Sequence, residues 1–111
     1  MTKLVIPSTS ITTIPVSGTE KVFPVRRIYC IGRNYADHVV EMGNDPKESP
    51  IFFQKNTNNV DTSGKFPYPS QSKDVHHELD LVIALKSGGS NILEANAYSL
   101  IYGFAVGLDM T

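Results

Sequence analysis

His77-Glu78-Leu79-Asp80-Leu81-Val82-Ile83-Ala84-Leu85 has no glycine or proline and is dense in aliphatic residues. With its neighbours it predicts a strand over residues 76–86. Side chains on a strand alternate between faces, so His77, Leu79, Leu81 and Ile83 share one side. Glu78 and Asp80 share the other, roughly 6.5–7 Å apart. Two carboxylates so placed repel unless something positive lies between them. A hard divalent cation, Mg²⁺ or Mn²⁺, suits such oxygen ligands. A solvated polar face is the plainer alternative for the pair alone. Val82 and Ala84 continue the acidic side, however, and make it a mouth leading into apolar surroundings. Of the two adjacent histidines, His76 falls on the side of Glu78 and His77 does not.

Downstream, Ser87-Gly88-Gly89 turns the chain, and Asn91 with Glu94 forms a capping-box pattern that predicts a helix to about Tyr98. Leu100 to Asp109 then reads as a last strand. Its Tyr102, Phe104, Val106 and Leu108 alternate with Gly103, Ala105, Gly107 and Asp109, so the face ending in Asp109 is stripped of bulk. Glycine in a strand marks close approach by another backbone or a ligand. Asp109 is therefore a candidate third metal ligand, with a strand-end turn aspartate as the alternative.

Upstream, residues 56–74 read as a long surface excursion, of a length often functional or mobile. Ile51 to Lys55 predicts a strand, Asn44 to Pro50 a turn-rich loop, and Asn34 to Met42 a short helix between a capping Asn34 and a terminating Gly43. On that helix His38 and Glu41 share a face at i and i+3, where a carboxylate can orient an imidazole for general-base work. A surface His–Glu pair is the alternative. Val25 to Ile31 predicts a buried strand ended by Gly32, with Cys30 as a buried inert thiol. Residues 1–24 read as an extended arm with short β segments, and 25–111 as the body. Lys55, Arg33 and Arg27 flank strands and could meet a substrate carboxylate, or serve as surface cations. The predicted class is α+β and β-rich.

The chain has 111 residues and 41% hydrophobic content, enough for one domain with a core. A formal net charge of −1, without basic or acidic tracts, points away from nucleic acid and membrane surfaces. No apolar run approaches the ~20 residues that span a bilayer. The first residues lose apolar character too soon for a signal peptide. Cys30 is the single cysteine, which leaves no intrachain disulfide or cysteine zinc cluster and makes the cytoplasm the expected location. Neither a phosphate-binding Gly-Lys-Ser/Thr loop nor a Gly-x-Ser-x-Gly elbow occurs.

Four blocks carry a family resemblance. Tyr29-Cys30-Ile31-Gly32-Arg33-Asn34-Tyr35-Ala36-Asp37-His38 with Glu41-Met42-Gly43 resembles the opening signature of the fumarylacetoacetate hydrolase family. Pro50 to Lys55 resembles its next strand, His76 to Val82 its metal strand, and Tyr102 to Thr111 the strand carrying its third ligand. The blocks come in family order across about residues 22–111. Val22 to Ile28 is similar to the fumarylpyruvate hydrolase branch in particular.

The resemblance implies a mixed β-sandwich or roll, present here as an N-terminal portion whose C-terminal part is absent. It implies that Glu78, Asp80 and Asp109 hold Mg²⁺ or Mn²⁺, that His38 and Glu41 activate water, and that Lys55 lines the site. Two departures stand out. Asp80 occupies a position where the family usually has glutamate, which changes geometry rather than charge. Asn56 replaces a usual proline after the lysine. The implied activity is hydrolysis of a carbon–carbon bond in an acylpyruvate, a 2,4-dioxo acid such as fumarylpyruvate, which would yield fumarate and pyruvate. Decarboxylation or isomerisation of related oxo acids is the alternative within the family. A non-catalytic fragment that folds, dimerises or binds metal is the alternative outside it. The implied partners are the oxo-acid substrate and either a second copy, as a homodimer, or the absent C-terminal part.

Overall fold

The computed structural model describes residues 2–32 and 49–111. Their regular structure is mostly strand, in three two-stranded antiparallel ladders. The predicted helix over 34–42, with His38 and Glu41, lies outside the described residues, as does Arg33. The chain divides into two units, Met1–Phe66 and Pro67–Thr111.

In the first unit β1 (Thr12–Pro15) pairs with β2 (Val22–Val25), Thr12 opposite Val25 and Pro15 opposite Val22. Both prolines sit in a two-stranded ladder, where each strand has a free edge and a missing N–H is tolerated. Gly18, at φ +81°, supplies the left-handed residue of the connecting turn. β3 (Ile28–Gly32) pairs with β4 (Ile51–Lys55), with Cys30 opposite Phe53. Burial alternates along β3, and Cys30 falls on its covered side, half-buried rather than buried as the sequence suggested. After β4 the excursion holds one short 3₁₀ turn, Thr57–Asn59. Next comes a tight turn in which the Ser63 N–H donates to Asp61 Oδ1 at 2.7 Å.

The second unit is a long hairpin. β5 (His77–Leu85) runs against β6 (Ile101–Met110), with a register irregularity at Ala84/Leu85. Beyond His77 one more rung closes the ladder. The His76 N–H donates to the Thr111 carbonyl at 2.6 Å and the Thr111 N–H to the His76 carbonyl at 2.9 Å. On one face Leu79 stands opposite Leu108, Leu81 opposite Val106 and Ile83 opposite Phe104, all exposed. Such cross-strand pairs stabilise a ladder by a few tenths to ~1 kcal/mol each. The other face carries the carboxylates and the small residues.

The connection between these strands corrects one expectation. The helix α1 covers only Glu94–Ala97, with Leu93 at its N-cap and no side-chain cap, and a 3₁₀ turn Tyr98–Leu100 follows. Asn91 has φ 53°. A capping residue needs extended backbone to aim its side chain at the first turn. Asn91 instead lies in a bend with its backbone in the left-handed region, which asparagine tolerates.

Candidate metal centre

The centre is built from one strand periodicity and one register. Glu78 and Asp80 are two apart on β5 and share a face. On β6, Asp109 lies directly opposite Glu78, and Gly107 opposite Asp80. The 76–111 rung exchanges both hydrogen bonds. The alternation of an antiparallel ladder therefore makes 78–109 a hydrogen-bonded pair too, with Cα atoms ~5.5 Å apart. Asp80 meets Asp109 along the diagonal.

One carboxylate oxygen from each of Glu78, Asp80 and Asp109 lies within 4.8 Å of the others. Glu78 is exposed, while the two aspartates are half-buried. Like charges directly opposite on a ladder are destabilising, and a cation between them reverses that sign. Among the described residues the clustered donors are three anionic oxygens, a set that selects a hard ion. The three side chains would hold Mg²⁺ or Mn²⁺ once their oxygens had drawn closer than ~4.2 Å, the most that two ligands of one ion at ~2.1 Å can be separated. Asp80, a methylene shorter than glutamate, nonetheless reaches the other two.

The structure brings these three sequence-predicted residues together. Lys55 ends β4 opposite Ile28 in the first unit, half-buried. His76 is engaged by a residue that the sequence reading did not single out. Its Nε2 lies 2.8 Å from Asp74 Oδ1, with both side chains largely exposed. The only signal was the i, i+2 spacing just before the strand. The close approach expected at the strand glycines is realised at Gly107, where a Cβ would stand 2.9 Å from Val82 Cγ2.

Comparison with known proteins covers the segment that contains these residues. The family profile described as "Fumarylacetoacetate (FAA) hydrolase C-terminal" matches residues 27–111. The chain belongs to the fumarylacetoacetate hydrolase family. The matched profile is the family's C-terminal domain, whereas the sequence reading placed the segment in an N-terminal portion. The crystal structure of fumarylpyruvate hydrolase from Pseudomonas aeruginosa in complex with Mn²⁺ and pyruvate is 40% identical. It superimposes with a TM-score of 0.92 over 98% of this chain and 49% of that one. The mitochondrial oxaloacetate decarboxylase of Dictyostelium discoideum is 38% identical over 88 residues, which cover 78% of this chain and 40% of the relative. The mitochondrial oxaloacetate tautomerase of Arabidopsis thaliana is 37% identical over 86 residues, which cover 77% and 39%. The chain thus spans about half the length of that solved structure and about two fifths of these curated relatives. The described strands are a mostly β piece matching about half of the family fold.

Proposed function

We propose that this chain holds the divalent cation of an enzyme that hydrolyses a carbon–carbon bond in an acylpyruvate, with fumarylpyruvate as the leading substrate. The supporting observation is the carboxylate triad on one face of the β5–β6 hairpin, in a chain resembling a fumarylpyruvate hydrolase solved with Mn²⁺ and pyruvate. Since the chain spans about half of that structure, the activity is proposed for this segment acting together with further polypeptide, contiguous or separate.

In this reading Glu78, Asp80 and Asp109 hold Mg²⁺ or Mn²⁺. The chemistry such a cation supplies when bound is Lewis acidity toward the carboxylate and carbonyl oxygens of the oxo acid. His38 and Glu41, which lie outside the described residues, would act as the general-base pair, the imidazole taking a proton from water as the water oxygen attacks the acyl carbonyl carbon. The bond between that carbon and the methylene then breaks. The acyl carbon leaves as a carboxylic acid, the electron pair goes to the methylene carbon, and a proton returned there completes pyruvate. Lys55 and Arg33 are candidates to pair with the substrate carboxylate.

The names of the decarboxylase and tautomerase relatives favour a second reading, in which oxaloacetate loses carbon dioxide or exchanges keto and enol forms. There the same triad holds the cation and no water is consumed. Product analysis separates the two. The full protein with Mn²⁺ is incubated with fumarylpyruvate and, separately, oxaloacetate. Stoichiometric fumarate and pyruvate support hydrolysis. Carbon dioxide or a keto–enol change, with fumarylpyruvate untouched, replaces it with the second reading.

A further inference from the structure

Val82 stands on the same face as Asp80, two residues along β5, and its register partner is Ala105. Its Cγ2 nevertheless lies over Gly107, at 2.9 Å from where a Cβ would be. Atoms of that kind do not approach so closely, so Val82 occupies the space a side chain at position 107 would need. Gly107 is the register partner of Asp80. Val82 therefore leans along the diagonal toward Gly107, the residue opposite Asp80. Asp80 leans on the parallel diagonal, one rung along, to bring its oxygen within 4.8 Å of those of Asp109 and Glu78.

We propose that Gly107 is a positioning residue for the metal centre. Its bare Cα lets Val82 lean that way, and Val82 so placed leaves Asp80 room to close on the other two carboxylates. This rests on the metal reading above. A methyl at 107 would push Val82 back toward its own strand, beside Asp80. That displacement turns the short Asp80 carboxylate away from Asp109. A glutamate at position 80 would have a spare methylene with which to compensate, whereas aspartate has none. The same face offers an internal comparison, because a Cβ at Gly103 meets nothing within 4 Å. Gly103→Ala is thus the same substitution, on the same strand and face, without the clash.

The test is Mn²⁺ affinity, read from loss of the free-ion paramagnetic resonance signal and from the spectrum of the bound ion. The full protein is compared as wild type, Gly107→Ala, Gly103→Ala and the double variant Gly107→Ala/Val82→Ala, each checked for an unchanged circular dichroism spectrum. Gly107→Ala should weaken Mn²⁺ about tenfold, the scale of losing a group that orients a metal ligand, and alter the bound spectrum. Gly103→Ala should bind within about twofold of wild type, and the double variant should recover most of the loss, since contacting residues couple. Wild-type affinity in Gly107→Ala overturns the proposal. So does an equal loss in Gly103→Ala, or a double variant as weak as Gly107→Ala, because each marks a general strand defect. If the wild type itself binds no Mn²⁺, the metal reading fails and the proposal falls with it.

Discussion

Replacing Asp109 with asparagine preserves shape and removes one of the three charges that meet at the centre. Asp109 lies opposite Glu78 and on the diagonal from Asp80, so it is the one ligand that ties β6 to β5 through the ion. Loss of a group that merely orients a metal ligand costs ~10–100-fold in affinity, so a lost charged ligand belongs at the upper end. Linkage converts this into stability. At a free Mn²⁺ concentration ~100 times the wild-type Kd, binding contributes ~2.7 kcal/mol. A Kd raised ~100-fold leaves ~0.4 kcal/mol at the same concentration, a difference of ~2.3 kcal/mol. At ~4 °C per kcal/mol for a domain of this size, Mn²⁺ should raise the wild-type Tm by ~9 °C more than that of Asp109→Asn. The assay is thermal unfolding of chelator-stripped protein with Mn²⁺ titrated back, comparing shifts rather than absolute Tm. Any effect of asparagine on the metal-free protein then cancels. Asp61→Asn, which alters a carboxylate in the 61–65 turn, should respond to Mn²⁺ as the wild type does. Equal Mn²⁺ shifts in wild type and Asp109→Asn would refute the assignment of the triad.

Three further outcomes are expected. Glu41→Gln should lower turnover at least a hundredfold, within the ~10²–10⁴ range of general-base contributions, while Mn²⁺ affinity stays unchanged; unchanged turnover would remove the dyad from the mechanism. The Ser63 hydroxyl first, and its backbone N–H second, hold the Asp61 carboxyl below the usual aspartate value. A depressed folded-state value means that the turn is supported above the unfolded pKa and released as pH falls through the folded one. The Ser63 amide resonance should therefore titrate with a midpoint below ~3.9, moving up in Ser63→Ala; a wild-type midpoint at or above that value contradicts the hydrogen bond. Asn91→Ala should cost ~1 kcal/mol in chemical denaturation, because alanine tolerates φ 53° poorly, and Asn91→Gly should cost less. Equal stability of all three would show that Asn91 does not hold the left-handed bend.

What the sequence disclosed follows the range over which each signal acts. Glu78 and Asp80 were legible as a pair because period two is a local property, and Ile51–Lys55 was bounded correctly by its flanking loops. Asp109 could be suspected only from the small residues before it. Its place opposite Glu78 depends on pairing across a connection of some fifteen residues, which no periodicity encodes. The short α1 was overextended because Asn91 and Glu94 match a capping pattern in composition while the backbone at Asn91 has the wrong sign of φ. Val82 on Gly107 was invisible for a related reason. Gly107 could be marked as a close approach, but its visitor sits on the other strand, one diagonal away.

Register is thus the quantity on which the centre depends. A slip of one residue between β5 and β6 would turn Asp109 to the Leu79 face, and a slip of two would leave Glu78 without its partner opposite. An isolated two-stranded hairpin is marginally stable and weakly protected against such slips. Here the 76–111 rung closes one end, two residues beyond the carboxylate pair, and the irregularity at Ala84/Leu85 marks the other. Between them the apolar pairs Leu79–Leu108 and Leu81–Val106 favour the observed pairing over a one-residue slip, which would set leucine against glycine or aspartate. An ion held by Glu78, Asp80 and Asp109 adds a cross-strand link at the very rung whose position matters. Metal binding and strand register therefore reinforce each other, and part of the binding energy becomes stability of the hairpin.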